Sequence, residues 1–159
     1  MRLDGKSILI AGGATGIGRA TALRCAREDA AVSIGDINPD EGLGTAERVR
    51  SSGGTAHFLQ VDVSREEDAA KLAAFAERSM GRVDALITAA GVFRGTLMPV
   101  AGLEASVWGS VLDVNLKGTF LAVKHSVPAM VRAGKGVVLL IASVGGVTGG
   151  SSSVAYGAS

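Results

Sequence analysis

Short aliphatic runs alternating with stretches of helical periodicity constrain this chain more than any other feature. The run "SILIAGG" is bounded by Gly5-Lys6 and a glycine cluster, and the following "IGRATALRCARED" spaces Ile17, Ala20, Leu23 and Arg24 as a helix does. The pair reads as strand, tight turn and helix. The pattern recurs: "AVSIGD" predicts a second strand, "DEGLGTAERVRSS" a weaker helix, and "TAHFLQVDV" a third strand ending at Asp62. In "SREEDAAKLAAFAERSM", Ser64 and Glu67 have capping-box spacing, which assigns the acidic cluster to a helix N-terminus rather than to paired-carboxylate catalysis. "VDALITAAG" predicts a fourth strand, residues 104–134 one long helical stretch with Trp108 in the core, and "GKGVVLLIAS" a fifth strand. Continuous runs such as "ILIA" and "VVLLIA" suit strands buried on both faces, and intervening helices force parallel pairing through right-handed crossovers. The expected fold class is therefore α/β, a doubly wound parallel sheet.

At 159 residues the chain is long enough for one domain with a sizeable core, and no Pro/Ser-rich or charge-rich linker divides residues 1–159. Apolar residues make up 47% and aromatics only 4%, so that core is aliphatic. A net charge of +1, from 16 basic and 15 acidic residues spread along the chain, leaves no footprint for nucleic acid or an anionic membrane. Cys25 is the only cysteine, lies in a helical stretch and reads as a small buried side chain, which fits a reducing cytoplasm. The N-terminal apolar run is too short for a signal peptide and "VVLLIA" too short to span a bilayer, so a cytoplasmic location is expected. His57 and His125 lack ligand spacing, which argues against a metal centre. A short "GGSSS" tract near the C-terminus is the one low-complexity segment.

The loop "AGGATGIGRA" sets Gly12, Gly13, Gly16 and Gly18 between the first strand and the first helix. A pyrophosphate can approach a backbone only where side chains are missing, and a helix N-terminus then offers unpaired amides and partial positive charge. The spacing departs from G-x-G-x-x-G, so taken alone the loop equally fits a structural turn. Asp36 shifts that balance. It ends the second strand at the separation expected of the acid that binds an adenosine ribose, and a carboxylate there favours a free 2′-hydroxyl over a 2′-phosphate. No basic residue lies in Gly13-Ala14-Thr15 or directly after Asp36, so NAD is preferred to NADP.

These motifs, with Asp62-Val63 after the third strand, Ala90-Gly91 after the fourth, Asn115 in "DVNLKGTF", Ser143 after the fifth and Tyr156 in "YGAS", together resemble the short-chain dehydrogenase/reductase family. The resemblance runs the length of the chain. It implies a Rossmann-like fold and NAD(P)-dependent hydride exchange between a nicotinamide and the carbon of a secondary alcohol or ketone. Carried across by position, Gly12, Gly16 and Gly18 line the pyrophosphate together with Ala14, Thr15 and Ile17. Asp36, followed by Ile37, holds the ribose hydroxyls; Asp62 and Val63 border the adenine; Ala89, Ala90 and Gly91 complete the cofactor set. Tyr156 becomes the general acid/base, Ser143 the hydrogen-bond donor to the reacting oxygen, and Asn115 the holder of a relay water. Singly, these three equally suit a core aromatic, a strand-end residue and a helix-interior amide; their order and spacing favour the catalytic reading.

Two departures stand out. Where the family usually carries asparagine, "LITAAG" has Thr88 and Ala89, which leaves Thr88 to replace amide bonds that brace the central strand. The family's lysine, four positions after the tyrosine, falls beyond Ser159. A free phenol is only about one part in a thousand ionised near pH 7, and a neighbouring cation lowers a pKa by roughly 1–3 units. Residues 1–159 by themselves are therefore expected to be inactive, to lack the family's later strands and helices, and to leave "VVLLIA" as an exposed sheet edge. The natural polypeptide is expected to continue, and to form a homodimer or homotetramer as the family does. A dinucleotide-binding or regulatory module without chemistry is the alternative from another class, and a purely structural α/β domain a third. Substrate identity is out of reach, since "GVFRGTLMPVAGLEAS" supplies only a rim.

Overall fold

The computed structural model describes residues 1–148 and 152–159; residues 149–151 of the "GGSSS" tract lie outside the described residues. Strand β1 (Ser7–Ala11) is buried at all five positions and lies at the centre of the sheet. Its neighbours are β2 (Ala31–Asp36), β3 (Ala56–Gln60), β4 (Ala85–Thr88) and β5 (Val137–Leu140), in the order β3-β2-β1-β4-β5 with every pair parallel. The chain thus winds outward through β2 and β3, then returns to β1's other side. That reversal opens a crevice at the carboxyl ends of β1 and β4, the place where open α/β sheets bind ligands.

The helices are α1 (Gly16–Arg27), α2 (Pro39–Ser51), α3 (Glu66–Met80), α4 (Ala105–Leu112), α5 (Thr119–Arg132) and the short α6 (Val154–Gly157). Alternation along β1 divides the core in two. Ile8 and Ile10 pack with Val32 and Ile34 against Ala22 and Cys25 of α1 and Ala46 and Val49 of α2. Leu9 and Ala11 pack with Leu86 against Leu72 and Ala76 of α3 and Ala122 and Met130 of α5. Burial pushes the Cys25 thiol's pKa up. Each aliphatic run at the sheet centre is therefore covered on both faces, as an uninterrupted apolar sequence requires.

Local signals set the element ends. The Asn38 side chain accepts from the Glu41 amide at 3.2 Å with Pro39 at the first turn of α2, while Gly81, at φ 76°, ends α3 in the left-handed conformation. Among the described residues, no helix is long and apolar enough to cross a membrane.

Several expectations need correction. The third strand closes at Gln60, and Asp62 sits in the turn beyond it. The capping box does not form: α3 begins at Glu66 after Arg65, and the Ser64 hydroxyl turns instead to Asp62. A side-chain acceptor one residue further out has captured it. The long helix of 104–134 is broken into α4, a π-helical segment (Asp113–Gly118) and α5. Trp108 is 36% exposed rather than core, because α4 buries only Val111. In β5 all four residues are exposed, so "VVLL" is an edge strand and not a doubly covered one.

Candidate active site

The glycine turn is shaped by close approach. A Cβ on Gly12 would lie 2.2 Å from the Ala90 amide nitrogen, and one on Gly18 only 1.9 Å from the Gly12 carbonyl oxygen. Bare backbone at both positions lets the start of α1 press onto the turn and the turn onto the end of β4. Gly16 differs: at φ 52° it has nothing within 4 Å, so its bare face looks into open space. The first turn of α1 carries no acidic residue, and Thr15 makes no side-chain cap, which leaves its amides suited to an anion. These are the features a pyrophosphate cradle needs.

A cavity of about 710 Å³ opens beside this turn. Gly12, Thr15, Gly16 and Ile17 line it from the turn, and Asp36 and Ile37 from the end of β2. Asp62 and Val63 enter after β3, and Ala89, Ala90 and Gly91 after β4. Ala14 and Gly18 are buried behind that wall. The Ala14 amide donates to Asp36 Oδ2 at 2.9 Å and the Asn38 amide to Oδ1 at 3.1 Å, so the carboxylate is tied to the turn it faces. Asp62 Oδ1 accepts from the Ser64 amide at 2.9 Å and hydroxyl at 2.7 Å. The Asp62 amide in turn donates to Asp68 Oδ2 at 3.1 Å and holds that carboxyl below its usual value.

A second cavity of about 740 Å³ brings together Asn115, Ser143 and Tyr156. It shares Ile17 and Ala89 to Val92 with the first, so one crevice runs along the strand ends. No charged side chain is among the described residues lining it. Asn115 lies in the π-helical segment, a distortion often found at functional sites. Its Oδ1 accepts from the Val92 amide at 2.8 Å while Nδ2 donates to the Val92 carbonyl at 3.1 Å and to Ser159 Oγ at 2.9 Å. The amide thereby clips the loop after β4 to the helix. Ser143 Oγ accepts from the Gly145 amide at 3.1 Å, and Tyr156 meets Phe93 edge to face with centroids 4.7 Å apart.

Thr88 does not replace the missing amide bonds: it is buried, and its Oγ1 has no hydrogen-bond partner among the described residues. Backbone does that work, since the Ala89 and Ala90 amides both donate to the Ala11 carbonyl, at 2.8 and 2.9 Å. Reading from the sequence passed over Phe93, Val92 and the side chains behind Ala14. An aromatic two residues after Gly91 was a usable signal for Phe93; the others look like ordinary loop and helix residues.

Comparison with known proteins follows the same line. A family model described as short chain dehydrogenase matches residues 6–159. Tropinone reductase-like 1 of Erythroxylum coca is 38% identical over 160 aligned positions, covering 99% of this chain and 58% of that protein. Cyclopentanol dehydrogenase of a Comamonas species is 32% identical over 158, covering 99% of this chain and 62% of that protein. The solved structure of levodione reductase superposes with a TM-score of 0.93 at 30% identity, covering 99% of this chain and 61% of that one. The chain thus spans about three fifths of the length of the proteins it matches.

Proposed function

The chain belongs to the short chain dehydrogenase family, and from that premise we propose that its protein is an NAD-dependent oxidoreductase acting on a secondary alcohol or ketone. The observation that carries this reading is the continuous crevice: one end holds Asp36 and the glycine turn, the other Asn115, Ser143 and Tyr156. When bound, the nicotinamide supplies or accepts the hydride. In the direction of oxidation, Tyr156 takes the hydroxyl proton of the substrate as its carbon gives up hydride; in reduction it returns that proton to the carbonyl oxygen. Ser143 hydrogen-bonds the same oxygen and orients it. Asn115, clipped to Val92, is the proposed anchor of a relay water.

Asp36 supports NAD over NADP, because a carboxylate accepts from ribose hydroxyls and repels a 2′-phosphate. Cyclopentanol, named for one relative, is a secondary alcohol and supports that substrate class here. The uncharged lining of the second cavity suits a neutral molecule. A cytoplasmic setting fits the buried thiol of Cys25, and family membership supports a homodimer or homotetramer.

The test is a titration of NADH and NADPH followed by nicotinamide fluorescence, with NADH-linked turnover of cyclopentanol and cyclopentanone. Tyr156→Phe keeps the ring against Phe93 and removes the hydroxyl. Turnover should fall by roughly 10²–10⁴-fold while NADH affinity holds. Unchanged turnover in that variant would remove Tyr156 from the chemistry.

A further inference from the structure

Both backbone polar groups of Ala14 are captured by side chains. Asp36 Oδ2 takes its N–H at 2.9 Å; on the other side its carbonyl accepts from the Thr45 hydroxyl at 3.0 Å and from Arg19 Nε at 2.8 Å. Thr45 is 1% exposed, and its Oγ1 also lies 3.2 Å from Arg19 Nε. The Arg19 guanidinium pairs with Glu41, which lies one turn before Thr45 on α2. The residue between Gly13 and Thr15 is therefore held from three elements: the end of β2, the first helix and the second.

A glycine-rich turn left to itself samples many backbone states, because glycine is nearly as free at positive as at negative φ. Amides that must bind an anion lose affinity in proportion to the time they spend pointing elsewhere. One peptide fixed at both its N–H and its C=O removes much of that freedom on either side. The bond from Thr45 is buried, so water does not compete for it, and a neutral hydrogen bond there holds its geometry more firmly than one at the surface.

We propose that Thr45 is a positioning residue for dinucleotide binding: through the Ala14 carbonyl, and together with Arg19, it sets the glycine turn so that its amides face the cavity and Asp36 faces the ribose site. The device lies wholly outside the cavity lining and touches no ligand. It also commits Arg19, the cation that follows the last glycine of the turn, to Ala14 and Glu41 rather than to a 2′-phosphate. The inference rests on the proposed nicotinamide cofactor.

Its test compares Thr45→Val, which keeps the volume and loses the hydroxyl, with Thr45→Ser, which keeps the hydroxyl, in the intact polypeptide. Dissociation constants for NADH and for ADP-ribose are read by fluorescence and calorimetry, with thermal midpoints alongside. The valine variant should bind both ligands about three- to tenfold more weakly, and the serine variant should match the wild type. Equal affinity in the valine variant, or equal loss in both variants, overturns the inference. Where Thr45→Val does not fold, Arg19→Met carries the test, since it removes the other donor to the same carbonyl; unchanged affinity there overturns it equally. A wild-type protein that binds neither ligand overturns the cofactor reading as well, whereas wild-type binding with an indifferent Thr45→Val overturns this inference alone.

Discussion

Gly18 has no room for a single methyl group: a Cβ there would sit 1.9 Å from the Gly12 carbonyl oxygen, a backbone atom that cannot swing aside. Gly18→Ala must push α1 off the turn, and overpacking of this kind costs about 1–3 kcal/mol. Denaturant unfolding should show that loss, and NADH titration a weaker complex. Gly16→Ala provides the contrast, because open space surrounds Gly16 and only its φ of 52° opposes a side chain. Its stability cost should stay near 1 kcal/mol, although the methyl would project where the proposed pyrophosphate lies. Both glycines stand out equally in the sequence. Their different reasons do not, because spacing reveals a bare backbone but not what that backbone touches.

Asp84 works between elements. It stands just before β4, accepts from the Ser7 amide of β1 at 3.0 Å, and through its own backbone donates to Ser7 and accepts from Val137 of β5. Three strands are fastened at their amino ends by one residue. Burial works against its charge, yet the Ser7 amide and the Arg82 guanidinium outweigh that and hold the carboxyl below its ordinary value of 3.8. A carboxyl with a lowered pKa in the folded state binds protons more readily once unfolded, so acid favours unfolding. Its contribution is complete near neutral pH and fades as the pH falls through about 4. The stability gap between wild type and Asp84→Asn, measured by urea unfolding, should therefore be widest near neutral pH and narrow in acid. At this scale the sequence was informative about kinds of element and less so about their ends. The run "AVSIGD" became β2 residue for residue because both faces are covered. "VVLLIA" misled, since an aliphatic edge strand and an aliphatic central strand read alike until the neighbours are known. Ser64 misled because a nearby carboxylate, Asp62, outcompeted the helix amide for its hydroxyl.

Across the whole molecule, the site was legible because strand order follows from the alternation of elements, and strand order alone assembles motifs far apart in the chain at one sheet edge. Asp36 and Tyr156 reach the same crevice although 120 positions separate them (156 − 36 = 120). The supports behind the crevice stayed hidden, since Thr45 is one polar residue on a helix until Ala14 is seen beside it. A ligand that binds only the folded state should stabilise the whole: NADH at a hundred times its dissociation constant adds about 2.7 kcal/mol. Thermal melts should rise with NADH and rise less with the same concentration of NADPH. The π-helical segment has a broader consequence. It carries an extra residue within its turn, and a helix advances about 100° per residue. Deleting one residue there would let an ordinary helix close while rotating everything that follows. The Ala122 and Met130 stripe of α5 would leave its seat beside Leu86, and Arg132 would lose both of its 2.8 Å bonds to Glu77. The chain's length across residues 113–118 is thus a phase setting: point substitutions can tune the crevice, but a single-residue change in length would misalign an entire helix.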